Sequence, residues 1–142
     1  MNEQVSQRRF KVWDYNVSHN QLLIRSPKTE EFQTNIDIIF FGVSYLNLPT
    51  TMHGISLCES SVEEVNNIQL VFPNKSDTDK VFVLSSLNNK YMVVAKSCKI
   101  LENELDIFET SLEIFGHEFE KWEKLKTAFH DEKNSIKNIL QD

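Results

Sequence analysis

The spacing of apolar residues changes near residue 115, and this change limits the folds open to the chain. Before it, β-branched and aromatic residues alternate with polar ones in short runs such as Arg9 to Tyr15 and Ile100 to Ile107, which is typical of half-buried strands. After it, apolar residues recur at steps of three, four and seven, as expected for an amphipathic helix. These residues are Phe115, Phe119, Trp122, Leu125, Phe129, Ile136 and either Ile139 or Leu140.

This order of elements predicts an α+β fold. We expect a mainly antiparallel β-sheet of about 6–8 strands whose inner face is packed by a long C-terminal amphipathic helix. The chain of 142 residues fits a single domain over 1–142, with 1–115 mainly β and 116–141 forming the helix. A chain of this length can bury a core without disulfides or metal.

Turn-forming residues divide the β-rich part into strands. Asn16 to Asn20 separates the first strand from a second over Gln21 to Ser26, which predicts a hairpin. Gly42 interrupts the apolar run from Asn35 to Leu48 and predicts either a bulge or a sharp bend between two strands there. A two-residue turn at Asn88 and Asn89 predicts a second hairpin.

Residues 60–67 allow two interpretations. Ser60 with Glu63, or Ser61 with Glu64, would form a capping box at the start of a helical turn. The edge of a strand fits the same residues, so the sequence leaves helix or strand open. The apolar run Ile68 to Phe72 predicts a strand.

The residues indicate a cytoplasmic protein. The first ten residues lack the apolar core of a signal peptide, and no apolar run approaches the roughly 20 residues that a membrane span needs. Cys58 and Cys98 do not form a CxxC pair, so reduced thiols are expected. Whether either thiol is reactive stays open.

Motifs that carry catalysis are missing from the sequence. The four histidines lack the close pairs of a zinc site, and the three glycines cannot build a phosphate-binding loop. Asp14, Ser18 and His19 share one turn, where such residues are ordinary. We therefore expect no metal and no cofactor, and the sequence favours a non-enzymatic protein.

Charge is distributed unevenly over a chain whose net charge is −6. Residues 1–28 carry five basic and two acidic groups, whereas seven acidic residues and no Lys or Arg lie between Lys99 and Lys121. Three explanations fit: the acidic residues pair with cations of a neighbouring N-terminal strand, they form a docking face for a basic partner, or they are only a solvated face. The candidate partner-binding residues are Arg9, Lys11, Trp13, Tyr15, Glu102, Glu104 and Asp106.

These observations favour a small cytosolic protein-binding domain, such as an adaptor, an inhibitor or an immunity-type protein. The expected partner is a protein, of basic character if the acidic residues bind it, and a homo-oligomer is left open. The net negative charge argues against nucleic acid, and we expect no membrane partner. The alternative is a small-ligand-binding protein or minor enzyme with a site between the sheet and the C-terminal helix.

Overall fold

Eight strands and one helix follow one another in residues 2–112, which the computed structural model describes. The elements are β1 (Asn2–Asn16), β2 (Gln21–Ser26), β3 (Asn35–Phe41), β4 (Tyr45–Asn47), β5 (Thr51–Glu59), α1 (Val62–Val71), β6 (Lys80–Ser86), β7 (Asn89–Ala95) and β8 (Ser97–Asn103). The predicted antiparallel sheet is confirmed. The predicted helix over 116–141 lies outside the described residues.

All eight strands belong to one antiparallel sheet in the order β4-β7-β6-β5-β1-β2-β3-β8. The sheet curls until its two ends meet, because β3 leads into β4 and β7 leads into β8 through very short connections. At this junction the Ser44 amide donates to the Val94 carbonyl at 2.9 Å, and the Lys96 amide donates to the Phe41 carbonyl at 2.9 Å.

Gly42 allows the chain to pass from β3 to β4 at this junction. Its φ is +65°, and a Cβ at this position would lie 2.7 Å from Cγ of Lys96. Glycine adopts positive φ without steric cost and leaves that space free. Of the two alternatives predicted at Gly42, the sharp bend is thereby confirmed.

The inside of the curled sheet holds the main core. Phe40 of β3 meets Phe82 of β6 edge to face, with ring centroids 5.5 Å apart, although these strands lie four places apart in the sheet. Other buried members of this cluster are Phe10, Leu22, Ile24, Ile38, Val43, Met52, Ile55, Leu57, Leu84, Val93 and Ala95. The side chains of the sheet thus pack against one another on its inner face, whereas the helix predicted to cover that face lies outside the described residues.

A second apolar cluster lies on the outer face of β2, β3 and β8. It contains Leu23, Ile39, Leu101 and Leu112, with Trp13 and Phe41 packed against it. Leu112 belongs to the segment 104–112, which follows β8 without regular structure. The strand predicted up to Ile107 therefore ends earlier, at Asn103.

Helix α1 answers the question left open for residues 60–67. Ser61 caps it, and Ser61 and Glu64 form a full capping box. The hydrogen bond from the Ser61 amide lowers the pKa of Glu64. The strand predicted over Ile68 to Phe72 is wrong, because Ile68 packs from the helix against Val81 and Val94. No helix in the described part of the chain is long and apolar enough to cross a membrane.

Candidate functional site

A buried ion pair organises the outer face of the sheet. Arg25 of β2 and Asp37 of β3 are cross-strand partners, and their side chains are 1% and 0% exposed. Arg25 donates from Nε to Oδ1 of Asp37 at 2.7 Å and from Nη2 to Oδ2 at 2.9 Å. Such a bidentate arrangement is the geometry in which arginine and carboxylate bind most strongly.

Further hydrogen bonds connect this pair to the segment 104–112. Asn103 Nδ2 and Ser111 Oγ both donate to Oδ2 of Asp37, at 2.7 and 2.6 Å. Arg25 Nη1 donates to the Glu109 carbonyl at 2.8 Å. The network thus holds the segment across β2 and β3. Its burial gives it a structural role.

Sequence reasoning missed this network. Asp37 lies within the apolar run of β3, and charged residues are rarely fully buried without a partner. The position of Asp37 in an apolar strand therefore indicates that it has a partner, but the sequence does not identify which residue that partner is. Ser111 is far from Asp37 along the chain, so the sequence contains nothing that connects them.

A groove opens beside the buried pair, with a volume of about 680 Å³. We call it the Trp13 groove. It is lined by Lys11, Trp13, Arg25, Pro27, Lys28, Asn35, Leu105, Asp106, Ile107 and Phe108. The Arg25 guanidinium lies 5.4 Å from the centroid of the Trp13 ring, and such a cation–π contact orients the ring. Ile107 and Phe108 are 65% and 97% exposed.

A second hollow of about 380 Å³ adjoins the groove and shares Lys11 and Pro27 with it. Here the Arg8 guanidinium lies 4.4 Å from the centroid of the Phe32 ring and donates to the carbonyls of Pro27 and Thr34 at 3.2 and 2.8 Å. Burial lowers the pKa of Arg8, and the Glu102 carboxylate partly opposes this. These contacts make Arg8 a fixed wall of the hollow.

Alternation along β1 would place the candidate residues Arg9, Lys11, Trp13 and Tyr15 in one stripe on one face, but a bulge divides this stripe. Lys11 pairs with Arg25 on the outer face, but the register between β1 and β2 shifts between Val12 and Asp14. A bulge of one residue reverses the faces of the residues that follow. Tyr15 therefore pairs with Leu22, a residue of the inner core, and leaves the stripe, while Trp13 stays on the outer side.

The three acidic residues predicted to bind a partner lie in different structural environments. Glu102 lies in β8 and accepts a hydrogen bond from Thr34 Oγ1 at 2.9 Å. Glu104 and Asp106 follow the end of β8, and Asp106 Oδ1 lies 3.4 Å from Lys28 Nζ. A common strand face for all three is excluded by this arrangement.

The acidic strand β8 and the N-terminal strand β1 are not neighbours in the sheet, although Glu102 lies close enough to Arg8 of β1 to raise its pKa. Strands β2 and β3 separate β1 from β8. Among residues 6–112, whose side chains the structure describes, Arg9 and Lys11 make no ion pair and no side-chain hydrogen bond. Lys11 lines the groove and Arg9 lines the adjoining hollow, so these two exposed cations are available to a charged group outside the described residues.

A second carboxylate is buried near the junction of β3 and β4. Asp79 is 5% exposed, and its Oδ1 lies 2.6 Å from Lys96 Nζ. Its Oδ2 accepts hydrogen bonds from the Ser76 amide at 3.2 Å and from Ser44 Oγ at 3.4 Å. Burial raises the pKa of Asp79, but the Lys96 ammonium and these hydrogen bonds outweigh it, so the pKa is lowered.

This lowered pKa predicts a pH-dependent contribution to stability. The folded state binds a proton at Asp79 less readily than the unfolded chain, so the contribution is present above the ordinary value of 3.8 and is lost as the pH falls through the folded-state pKa. Urea denaturation from neutral pH downwards measures it. The free energies of unfolding of the wild type and of Asp79→Asn should converge below pH 3.8. If the difference in unfolding free energy between the wild type and Asp79→Asn did not change with pH, Asp79 would not be the source of the pH dependence. At neutral pH, Lys96→Met should lower the free energy of unfolding as Asp79→Asn does.

Nucleophiles and metal ligands do not gather at the groove. Cys58 and Cys98 form no disulfide, and both are half-buried. Among residues 2–112, no three His, Cys, Asp or Glu side chains lie close enough together to hold a metal ion. The chemistry available at the groove is therefore apolar contact, stacking on Trp13 and attraction of negative charge.

Comparison with known proteins provides no relative from which to transfer a function. No protein-family model matches the chain, and neither a curated protein nor a solved structure matches it.

Proposed function

We propose that this chain is a protein-binding domain whose Trp13 groove receives an acidic segment carrying an aromatic side chain. The observation that carries the proposal is the meeting of exposed apolar surface with cations that lack partners among the described residues. Trp13, Ile107 and Phe108 provide the apolar surface, and Arg9 and Lys11 provide the charge. Protein interfaces are likewise enriched in aromatic residues and in arginine.

The rigidity of the groove supports this proposal. Its floor is formed by β1 and β2 of the closed sheet, and the buried Arg25–Asp37 pair holds its other wall, the segment 104–112. A surface that is ordered before binding loses little conformational entropy on binding. The groove is therefore better suited to recognition than a free loop would be.

The charges favour an acidic partner over the basic partner expected from the sequence. Glu102 and Asp106 already have Thr34 and Lys28 as partners, whereas Arg9 and Lys11 have none among residues 6–112. Charges at the rim of an interface chiefly accelerate association, and salt weakens this effect.

Site-specific photocrosslinking in the native host tests the proposal. A photoreactive amino acid replaces Phe108 in the groove, and the matched control replaces Leu70 on α1, which is 82% exposed. We expect a protein adduct at position 108 that position 70 does not give, mapped to a segment with Asp or Glu beside an aromatic residue. The same adducts at both positions, adducts with nucleic acid, or no adduct with another protein at position 108 would overturn the proposal.

A charge variant tests the same surface by its kinetics. Once the partner is purified, Lys11→Glu should slow association, most strongly at low salt, and should leave the melting temperature nearly unchanged. Glu63→Lys, which changes a charge on α1 away from the groove, is the control. Equal association rates for wild type and Lys11→Glu would exclude Lys11 from the docking surface.

The site expected for the small-ligand alternative, beside the C-terminal helix, lies outside the described residues, and the described residues offer another candidate. A hollow of about 470 Å³ lies at the turn between β6 and β7, and the polar residues in its lining include Gln7, His53, Ser85, Asn88 and Lys90. Its volume is within the usual range of ligand sites. A thermal-shift screen of polar metabolites tests this candidate, and a ligand whose stabilising effect disappears in His53→Ala would support it.

A further inference from the structure

The Trp13 groove lies next to the point at which the described chain ends. Leu112 is 2% exposed and packs with Leu23, Ile39 and Leu101, and Trp13 packs against the same cluster. The segment 104–112 is fixed there by the hydrogen bonds to Arg25 and Asp37. The chain therefore continues into residues 113–142 from an anchored position beside the groove.

The residues that follow Leu112 in the sequence are acidic and aromatic, which are the properties proposed above for the segment that binds the groove. The stretch 113–120 contains the three carboxylates Glu113, Glu118 and Glu120 and the two aromatic residues Phe115 and Phe119, and its first cation after them is Lys121. The groove and the adjoining hollow are lined by Trp13 with its apolar neighbours and by the cations Arg9, Lys11 and Lys28, of which Lys28 is paired with Asp106. Charge and apolar character are thus complementary between the two.

The stretch is also close enough to reach the groove. A chain extends by at most about 3.3–3.6 Å per residue, so Phe115 can lie up to about 10 Å from Leu112 and Phe119 up to about 25 Å. The floor of the groove contacts the cluster that holds Leu112. A segment tethered at this distance has a high effective concentration at the groove, commonly in the millimolar range.

We propose that residues 113–120 of this chain occupy the Trp13 groove in the free protein, with Phe115 and Phe119 against the apolar wall and the carboxylates facing Arg9 and Lys11. This inference rests on the proposed function in that it concerns the same groove. A partner must then displace the chain's own segment, which makes binding dependent on a competition. A partner with a weaker acidic and aromatic segment would be rejected.

Intramolecular photocrosslinking in the full-length protein tests the inference. A photoreactive amino acid replaces Phe119 in a mixture of unlabelled and isotope-labelled protein, and the crosslinked peptides are identified by mass spectrometry. We expect peptides joining position 119 to Lys11, Trp13 or Phe108 of the same chain. The matched control carries the photoreactive group at Leu87, which is exposed in the turn between β6 and β7, and should give no groove peptides.

A charge exchange measures the contribution of the carboxylates. Lys11→Glu should lower the yield of groove crosslinks by about two- to fivefold, the change expected from one exposed ion pair, and Glu118→Lys in the same chain should restore it. Melting temperatures of all variants verify that the sheet is intact. If neither substitution changed the yield of groove crosslinks, the carboxylates would not pair with the cations of the groove, and the inference would be overturned.

Two other results would overturn the inference in distinguishable ways. Groove peptides that join labelled to unlabelled chains would show that a second copy provides the segment. No groove peptides from position 119 would show that the segment binds elsewhere. Either result leaves the proposed function standing if position 108 still captures a partner, whereas intramolecular crosslinks without any captured partner would mean that the groove only anchors the chain's own segment.

Discussion

Replacing Asp37 with asparagine is expected to lower the free energy of unfolding by about 3–5 kcal/mol. The substitution keeps the shape of the side chain and removes its charge. Arg25 would then keep a guanidinium that is 1% exposed without a counter-charge, and an uncompensated buried charge is among the costliest defects in a protein. Its remaining bond to the Glu109 carbonyl cannot replace a carboxylate.

Urea denaturation of the full-length protein measures this loss. Asp106→Asn is the matched control, because it removes the carboxylate of an exposed ion pair with Lys28 and should change stability by less than about 1 kcal/mol. Similar losses for the two variants would mean that the Arg25–Asp37 pair is hydrated in solution. That result would also remove the support for an ordered groove wall.

A double replacement separates the charge from the packing. Arg25→Met with Asp37→Leu removes both charges together, so its cost should be smaller than the sum of the two single replacements. It will not vanish, because Asn103 and Ser111 lose their shared acceptor and buried donors without partners cost stability. Additive costs would contradict direct coupling between Arg25 and Asp37.

The second large effect is expected inside the curled sheet. Phe40→Ala should lower the free energy of unfolding by about 3–5 kcal/mol, the usual cost of truncating a buried phenylalanine. The Phe40 ring is fully buried and meets Phe82 across the interior. The strands around it are fixed by hydrogen bonds, so they cannot move together to fill the space.

The same denaturation experiment with Phe108→Ala provides the control, since Phe108 is 97% exposed. Its loss should be within about 0.5 kcal/mol, as for most surface substitutions. A cost below about 1 kcal/mol for Phe40→Ala would contradict a core closed by the sheet itself. It would also support a different element, such as the predicted C-terminal helix, as the cover of the inner face.

The elements that the sequence predicted well are those whose limits are set by turn-forming residues next to them in the chain. The strand over Gln21 to Ser26 is observed with the same limits, because a turn cluster and Pro27 border it. The second hairpin is observed one residue earlier than predicted: its turn uses Leu87 and Asn88, whose φ values are +49° and +67°. Two-residue hairpin turns need positive φ at both positions, and neighbouring asparagines made the choice between registers ambiguous.

Contacts between distant residues decided the features that the sequence did not reveal. The bulge that places Trp13 and Tyr15 differently depends on pairing with β2. In the sequence, Asp37 stands out as a charge within an apolar strand, and the tertiary structure gives it partners in Arg25 of β2 and in Asn103 and Ser111.

The sequence by itself determined the antiparallel sheet, the interruption at Gly42 and the cations of β1. Only the tertiary structure decided that the sheet closes on itself and that its own side chains fill its interior. It also brought Trp13 and Phe108 into one groove. The physical reason is that alternation and turn residues act over a few positions, whereas curl, register and burial depend on backbone and side-chain contacts between residues far apart in the chain.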